Sequence, residues 1–302
     1  MNKVSNMHSD IFVSNLVSRL LLHSEIAKVP MCLFISFSSF VGYEVVKPEF
    51  SPMSFLTAAG IFFLACGCAT LNNIQDKEFD RHLKRTKNRA LPQNKISELS
   101  ASVQAVLLIT SGLILVYIAG YTIMPVIFSA AAIILYNFIY TKMKIKTFMA
   151  IFPGALCGML PPFIGSLVAG AHIHDFRIIA VAILFGLWQV PHYFLVVLEH
   201  HDDYKQGNLS SILDIFTCAS LNRIIFAWIM SISFLMLVLA PLDVISTTIA
   251  FRGLVLNAFC LVIFFAYRFF LVPEVNYNKL FKMLNTSLMI MLLLVLADRF
   301  LV

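Results

Sequence analysis

Apolar residues run along this chain in stretches of about 20, the length a helix needs to cross a bilayer, and polar residues gather between the stretches instead of alternating with them. The pattern predicts nine spanning helices, near 29–47, 53–73, 99–119, 121–141, 148–170, 177–199, 220–241, 245–271 and 280–301. Four connections are markedly polar, at 74–98, 142–147, 200–219 and 272–279, and all four fall on one side of the membrane. The expected fold is an all-α, polytopic membrane helical bundle of about nine transmembrane helices, with a segment at 1–28 ahead of a single transmembrane domain over 29–302.

Composition agrees. The 302 residues are 60% hydrophobic and 13% charged, where a soluble chain has roughly 45–50% apolar and about 25% charged residues. Mean hydropathy is +0.87, and the 28 Phe, against 11 Pro and 12 Gly, lie in long unbroken runs. The first 27 residues contain Asp10 and Glu25 and few basic residues, with no apolar run followed by a small-residue cleavage site, so no signal or transit peptide is expected. The six cysteines all lie in apolar stretches, and Cys66-x-Cys68 has no second Cys or His pair at ligand spacing. They read as buried small hydrophobes.

Charge changes the picture through its placement. The 74–98 connection holds Lys77, Arg81, Lys84, Arg85, Lys87, Arg89 and Lys95; the 142–147 connection holds Lys142, Lys144 and Lys146; Lys205, Lys279 and Lys282 lie in or beside the later two. Between spans on the opposite side stand only Lys47, Arg177 and Arg252. The positive-inside bias therefore puts the N-terminus and the polar loops in the cytoplasm and the C-terminus outside. A net charge of +6 so placed serves topology, lipid and an anionic substrate, and no nucleic-acid partner is expected.

Acidic residues do little to set orientation, yet they gather in two of these loops. Asn72, Asp76 and Asp80 recur every fourth residue as the second span emerges, which on a helix stacks three oxygen-bearing side chains on one face. Carboxylates so spaced repel, and near a membrane interior they are costly, so the face calls for a cation. Mg²⁺ suits it, because it takes one or two protein carboxylates and completes its shell with water and phosphate oxygens. The basic run from Arg81 to Arg89 follows directly, and its Arg and Lys side chains are matched to phosphate oxygens. Carboxylates, metal and cations together describe a diphosphate cradle.

The second cluster is Glu199-His200-His201-Asp202-Asp203, where the sixth span leaves the membrane on the same side; Glu199 and Asp203 repeat the four-residue spacing. Two such faces could grip two Mg²⁺ ions across one diphosphate. No standard zinc spacing accompanies the two histidines. At the end of the fourth span, Lys144 or Lys142 could reach the same phosphates and the Tyr140 hydroxyl could donate to them, or Tyr140 could be an interfacial aromatic. Trp188-Gln189-Val190-Pro191-His192 places an imidazole one to two turns below the second acidic loop, in an acceptor-side or a structural role.

These motifs resemble the UbiA superfamily of intramembrane prenyltransferases, and most closely its protohaem IX farnesyltransferase (haem O synthase) branch. The resemblance covers nearly the whole chain: Asn72-x₃-Asp76-x₃-Asp80, then Arg85-Thr86-x₂-Arg89-x-Leu91, then Tyr140-Thr141 through Lys144 and Thr147 to Pro161-Pro162-x-Ile164-Gly165, then Trp188-Gln189-x-Pro191-His192 and Asp203-Tyr204. The branch's Lys-Pro-Arg element is Lys28-Val29-Pro30 here, and Ala90, Ala150, His200 and Ser210 replace its usual Pro, Asn, Arg and Pro. Asp203-x₃-Gly207-x₂-Ser210 resembles the wider superfamily, which includes enzymes that prenylate aromatic rings.

The resemblance implies a Mg²⁺-dependent enzyme that transfers a farnesyl or other polyprenyl group from its diphosphate to protohaem IX, giving haem O, or to a quinone precursor or other aromatic acceptor. It implies Asp76, Asp80 and Asp203 as catalytic residues. Asn72, Asp76, Asp80, Glu199, Asp202 and Asp203 become the metal set, Lys28, Arg85, Arg89, Tyr140 and Lys144 the diphosphate set, and Trp188 and His192 the acceptor side. It also implies a bacterial inner-membrane location with the active site facing the cytoplasm. A transporter is the competing class, but its substrate site would lie at the bilayer midplane, whereas here the ionisable residues crowd one surface.

Overall fold

The computed structural model describes residues 17–200, 213 and 215–301. Among them, nine helices are long and apolar enough to cross a membrane: α1 (Val29–Val46), α2 (Pro52–Asp80), α3 (Glu98–Gly120), α4 (Met124–Met143), α5 (Phe148–Val168), α6 (Phe176–Glu199), α7 (Cys218–Val238), α8 (Thr248–Phe270) and α9 (Tyr277–Leu301). A shorter helical segment at 17–26 precedes α1. The protein is an integral membrane protein, built as the apolar pattern predicts.

The helix starts are written locally. Ser51, Ser97, Thr217 and Thr247 each accept a hydrogen bond from the backbone N–H three residues on, and Asp175 accepts from Arg177 N, so α2, α3, α7, α8 and α6 begin on side-chain caps. Pro52 stands just inside α2 and Pro30 just inside α1, where a missing N–H costs no helical bond. Asp298, fully buried near the end of α9, accepts from Ser246 N and Thr247 N at 2.7 and 2.8 Å and so joins α9 to the start of α8.

Each helix packs on its neighbours: α2 on α1 and α3, α5 on α1, α4 and α6, α7 on α6 and α8, and α9 on α8, α6 and α1. The most apolar window of α6 is 67% buried inside the protein and those of α3 and α4 only 22%, which places α6 centrally and α3 and α4 at the rim. Outward side chains such as Val106, Leu107 and Ile114 of α3 and Leu256, Phe259 and Ile263 of α8 are exposed and apolar, the surface a lipid environment selects. Cys32, Cys66 and Cys68 are buried as expected. Cys157 is half-buried, and Cys218, the first residue of α7, and Cys260, within α8, are exposed; a small apolar thiol is tolerated within a lipid-embedded helix as it is in a core.

Close approach of α1 and α5 rests on glycine. A Cβ at Gly42 would fall 2.0 Å from the Pro162 carbonyl oxygen, and one at Gly165 would fall 1.9 Å from that of Ser39. Backbone cannot yield as a side chain does, so the two helices would have to separate. Gly165→Ala is expected to lower stability by about 2 kcal/mol, read as a lower melting temperature in detergent. Gly158→Ala on the same helix, where the added carbon meets its nearest neighbour at 3.6 Å, is the control that should melt unchanged.

Two boundaries differ from expectation. The second span does not end near 73: α2 continues to Asp80, so the whole first acidic motif is helical. Residues 81–97 are a folded connection of turns, not an open loop; Ala90, Leu91 and Ile96 are buried with Ile26 and Ala101 in a small core of their own. That core lays the basic run back over the end of α2.

Candidate active site

Extension of α2 puts Asn72, Asp76 and Asp80 on one buried face, with 2%, 7% and 4% of their surface exposed. Burial of ionised carboxylates demands compensation, and each is met by a cation from a different part of the chain. Lys144, just beyond α4, pairs with Asp76. Arg89, carried in by the 81–97 connection, pairs with Asp80 at 2.9 Å. Lys28, the left-handed residue capping α1 (φ 51°), donates to Asn72 Oδ1 at 3.0 Å.

The connection is held in place by its own polar contacts. Thr86 Oγ1 donates to the Asp80 carbonyl at 3.0 Å, Ala90 N donates to Glu25 Oε1 at 3.2 Å, and Arg81 Nε donates to the Pro92 carbonyl at 3.3 Å. Lys28 and Arg89 both line a cavity of about 180 Å³, together with Glu25, Asn73 and the Ile26, Leu91 and Pro92 positions. The ammonium of Lys28 is brought down to about 8, first by burial and then by the nearby charges of Arg89 and Lys144, against the opposing pull of Asp76 and Asp80. Three cations thus converge beside two carboxylates in a site mostly shielded from water.

On the far side of the cradle, α4 is irregular. Its residues Ile134–Tyr140 form a π-helix, followed by one α-helical turn, Thr141–Met143. Asn72 Nδ2 donates to Thr141 Oγ1 at 3.0 Å, Gln75 Nε2 donates to the Asn137 carbonyl at 3.1 Å, and Asn137 Nδ2 donates to the Cys68 carbonyl at 2.9 Å. The rings of Tyr136 and Tyr140 stack at 5.7 Å, and the Lys144 ammonium lies 5.7 Å from the Tyr140 ring centre.

The sequence-predicted residues divide clearly. Asn72, Asp76, Asp80, Lys28, Arg89 and Lys144 come together, and Tyr140 borders them through Lys144. Arg85 is exposed on the connection, and Lys142 lies over the Phe138 ring at 6.0 Å. Glu199 is exposed at the last residue of α6. Asp202 and Asp203 lie outside the described residues, and among the described residues no three His, Cys, Asp or Glu side chains converge as a metal group. The oxygen donors in hand are Asn72, Asp76 and Asp80, a hard all-oxygen set on one helix face that fits a divalent ion such as Mg²⁺.

His192 sits between the rings of Trp188 and Phe281, at 4.4 and 4.7 Å, and its Nδ1 is 3.3 Å from Asn285 Oδ1. Trp188 is buried, with Phe34 at 6.1 Å on its other side. Sequence reasoning missed Tyr136, Asn137, Gln75 and Asn285. For Tyr136, Asn137 and Asn285 the signal available was polarity within an apolar run: Asn137 stands four residues before Thr141, and Asn285 lies in the first half of α9; Gln75 stands in the polar stretch at the end of α2 and carries no such mark.

The sequence profile of the UbiA prenyltransferase family matches residues 32–288. A protein of Geobacter sulfurreducens named protoheme IX farnesyltransferase is 35% identical over 179 residues, 59% of this chain and 66% of that protein. One of the same name from Oleidesulfovibrio alaskensis is 34% identical over 175 residues, 58% of this chain and 62% of that protein. The chain spans just under two thirds of the length of these relatives. In three dimensions it superposes on a structure of digeranylgeranylglyceryl phosphate synthase with a TM-score of 0.74 and 18% identity, covering 94% of this chain and 100% of the other. It superposes on a UbiA homologue of Archaeoglobus fulgidus bound to GPP and Mg²⁺ with a TM-score of 0.70 and 15% identity, covering 92% and 98%. With the family profile matching most of its length and the same helical fold beneath it, the chain belongs to the UbiA prenyltransferase family.

Proposed function

We propose that this protein is a Mg²⁺-dependent intramembrane prenyltransferase that moves a farnesyl group from its diphosphate to protohaem IX, giving haem O. The observation that carries the reading is the pairing of a buried oxygen face, Asn72, Asp76 and Asp80, with three convergent cations, Lys28, Arg89 and Lys144. Family membership supports prenyl transfer, and the name borne by its relatives supports protohaem as acceptor.

Asn72, Asp76 and Asp80 hold the metal, with Glu199, Asp202 and Asp203 as the partners on the second acidic loop. Bound Mg²⁺ supplies neutralisation of the diphosphate oxygens as the carbon–oxygen bond breaks. The rest is the work of side chains. Lys144 and Arg89 pair with Asp76 and Asp80, so the site carries little net charge into the membrane edge. With a diphosphate present, both cations turn to phosphate oxygens and meet the charge that grows on the leaving group, the main lever open to such a site. Lys28, lining the same cavity as Arg89, adds a third positive charge there, and the exposed Arg85 draws the diphosphate toward the mouth. Tyr140 fixes the direction of Lys144 through its ring. The apolar bundle keeps water from the allylic cation until a vinyl group of the acceptor, beside Trp188 and His192, attacks it; diphosphate is the leaving group, and the cation left beside the porphyrin ring then takes up water and releases a proton, which gives the hydroxyl of haem O. The excess of lysine and arginine in the loops on this side supports a cytoplasmic-facing site.

The acceptor is tested by incubating the purified, lipid-reconstituted protein and Mg²⁺ with labelled farnesyl diphosphate and either haem or a quinone precursor. Label is expected in the haem product, lost on chelation and restored by Mg²⁺. Label in the quinone precursor alone assigns the other acceptor class, and export of intact farnesyl diphosphate with no product identifies a transporter.

A further inference from the structure

The two ends of an asparagine side chain are nearly equal in size, but only the oxygen can hold a metal or accept from an ammonium. Something must therefore choose which end of Asn72 faces the cations. In this structure the oxygen does, accepting from Lys28 at 3.0 Å and from the Tyr136 hydroxyl at 3.5 Å, while the nitrogen donates to Thr141 Oγ1 at 3.0 Å.

We infer that Thr141 is a positioning residue that locks the Asn72 amide with its oxygen toward the cation site. The inference rests on the magnesium–diphosphate reading and adds a residue to it. The argument follows the hydroxyl proton. Thr141 Oγ1 donates to the Tyr136 carbonyl at 2.8 Å. Having spent its one proton there, the oxygen offers Asn72 only lone pairs, and these accept the amide nitrogen and refuse the amide oxygen.

The π-helix supplies the carbonyl. A threonine in a regular helix bonds back to a carbonyl three or four residues earlier; here the Thr141 backbone N–H and hydroxyl both reach Tyr136, five residues back. The Asn137 carbonyl, one of the usual partners, is taken by Gln75 of α2. Hydrogen bonds to Cys68, Asn72 and Gln75 hold the wide turn against α2, so the irregular turn and the site it serves form one unit. Asn72 and Thr141 are 2% and 4% exposed, which denies water the chance to satisfy a reversed amide.

The test measures metal binding directly, by Mn²⁺ resonance or calorimetry, in the presence of farnesyl thiolodiphosphate, an analogue that ionises slowly. Thr141→Val keeps the shape and removes the hydroxyl; it is expected to weaken Mn²⁺ binding about tenfold, and Thr141→Ser to restore it. Asn72→Asp presents an oxygen whichever way it turns, so adding Thr141→Val to that variant should cost little further affinity. That comparison also serves if Thr141→Val alone folds poorly. An equal loss in both backgrounds, or wild-type affinity in Thr141→Val, overturns the role given to Thr141. A wild-type protein that binds no Mn²⁺ with the analogue overturns the diphosphate reading itself.

Discussion

Replacing Asp76 by alanine is expected to lower prenyl transfer by at least about a thousandfold, with the protein still folded. Asp76 stands at the centre of the oxygen face, one helical turn from both Asn72 and Asp80, and its carboxylate is the partner of Lys144. Loss of one preorganised electrostatic contact costs roughly 10²–10³ in rate where charge develops away from water. Asp76→Ala removes a metal donor and also leaves Lys144 without its resting partner, so two groups are misplaced together. Asp76→Asn keeps the shape and an oxygen but loses the charge, and should fall between the two. Labelled product formed per mole of folded protein measures the effect, with the melting temperature recorded beside it.

Lys144→Met is expected to reduce kcat/KM for the prenyl diphosphate about a hundredfold while moving metal affinity in the opposite direction. Methionine preserves much of the aliphatic stem that passes the Tyr140 ring and removes the charge. With no ammonium on Asp76, a divalent ion competes with nothing for that carboxylate, so Mg²⁺ alone should bind more tightly than to the wild type. It should also raise the melting temperature of the variant by more, as binding to the folded state alone requires. Turnover falls because no cation replaces Lys144 on the diphosphate. A lysine that served only to set membrane topology would move neither quantity in this way.

The nine spans were legible because lipid leaves a helix as the economical arrangement for twenty apolar residues in a row, and the Ser, Thr and Asp caps mark where five of the helices begin. Asn72, Asp76 and Asp80 were legible as a helical face from spacing alone. The length of α2 was not, since polar residues from Ile74 to Asp80 read as a loop when hydropathy is the only guide; it is the covering connection, with Ala90, Leu91 and Ile96 buried against Ile26, that makes the polar turns worth extending. Arg85 and Arg89 look equivalent in the sequence. The folded connection separates them, turning Arg89 onto Asp80 and leaving Arg85 exposed. The π-helix at Ile134–Tyr140 has no compositional mark, because the same residues could make regular bonds; contacts from α2 at Cys68, Asn72 and Gln75 accompany the wider turn. For the second acidic loop, Asp202 and Asp203 lie outside the described residues, and their role stays with the family resemblance and the proposed mechanism.

The most direct measurement is a map of the lipid-embedded protein bound to Mg²⁺ and farnesyl thiolodiphosphate. The account expects the diphosphate between the Asn72–Asp76–Asp80 face and the side chains of Lys28, Arg89 and Lys144, with the Lys144–Asp76 and Arg89–Asp80 pairs opened and the farnesyl chain running into the bundle. A diphosphate bound elsewhere, with Lys144 still on Asp76 and Arg89 still on Asp80, would contradict it.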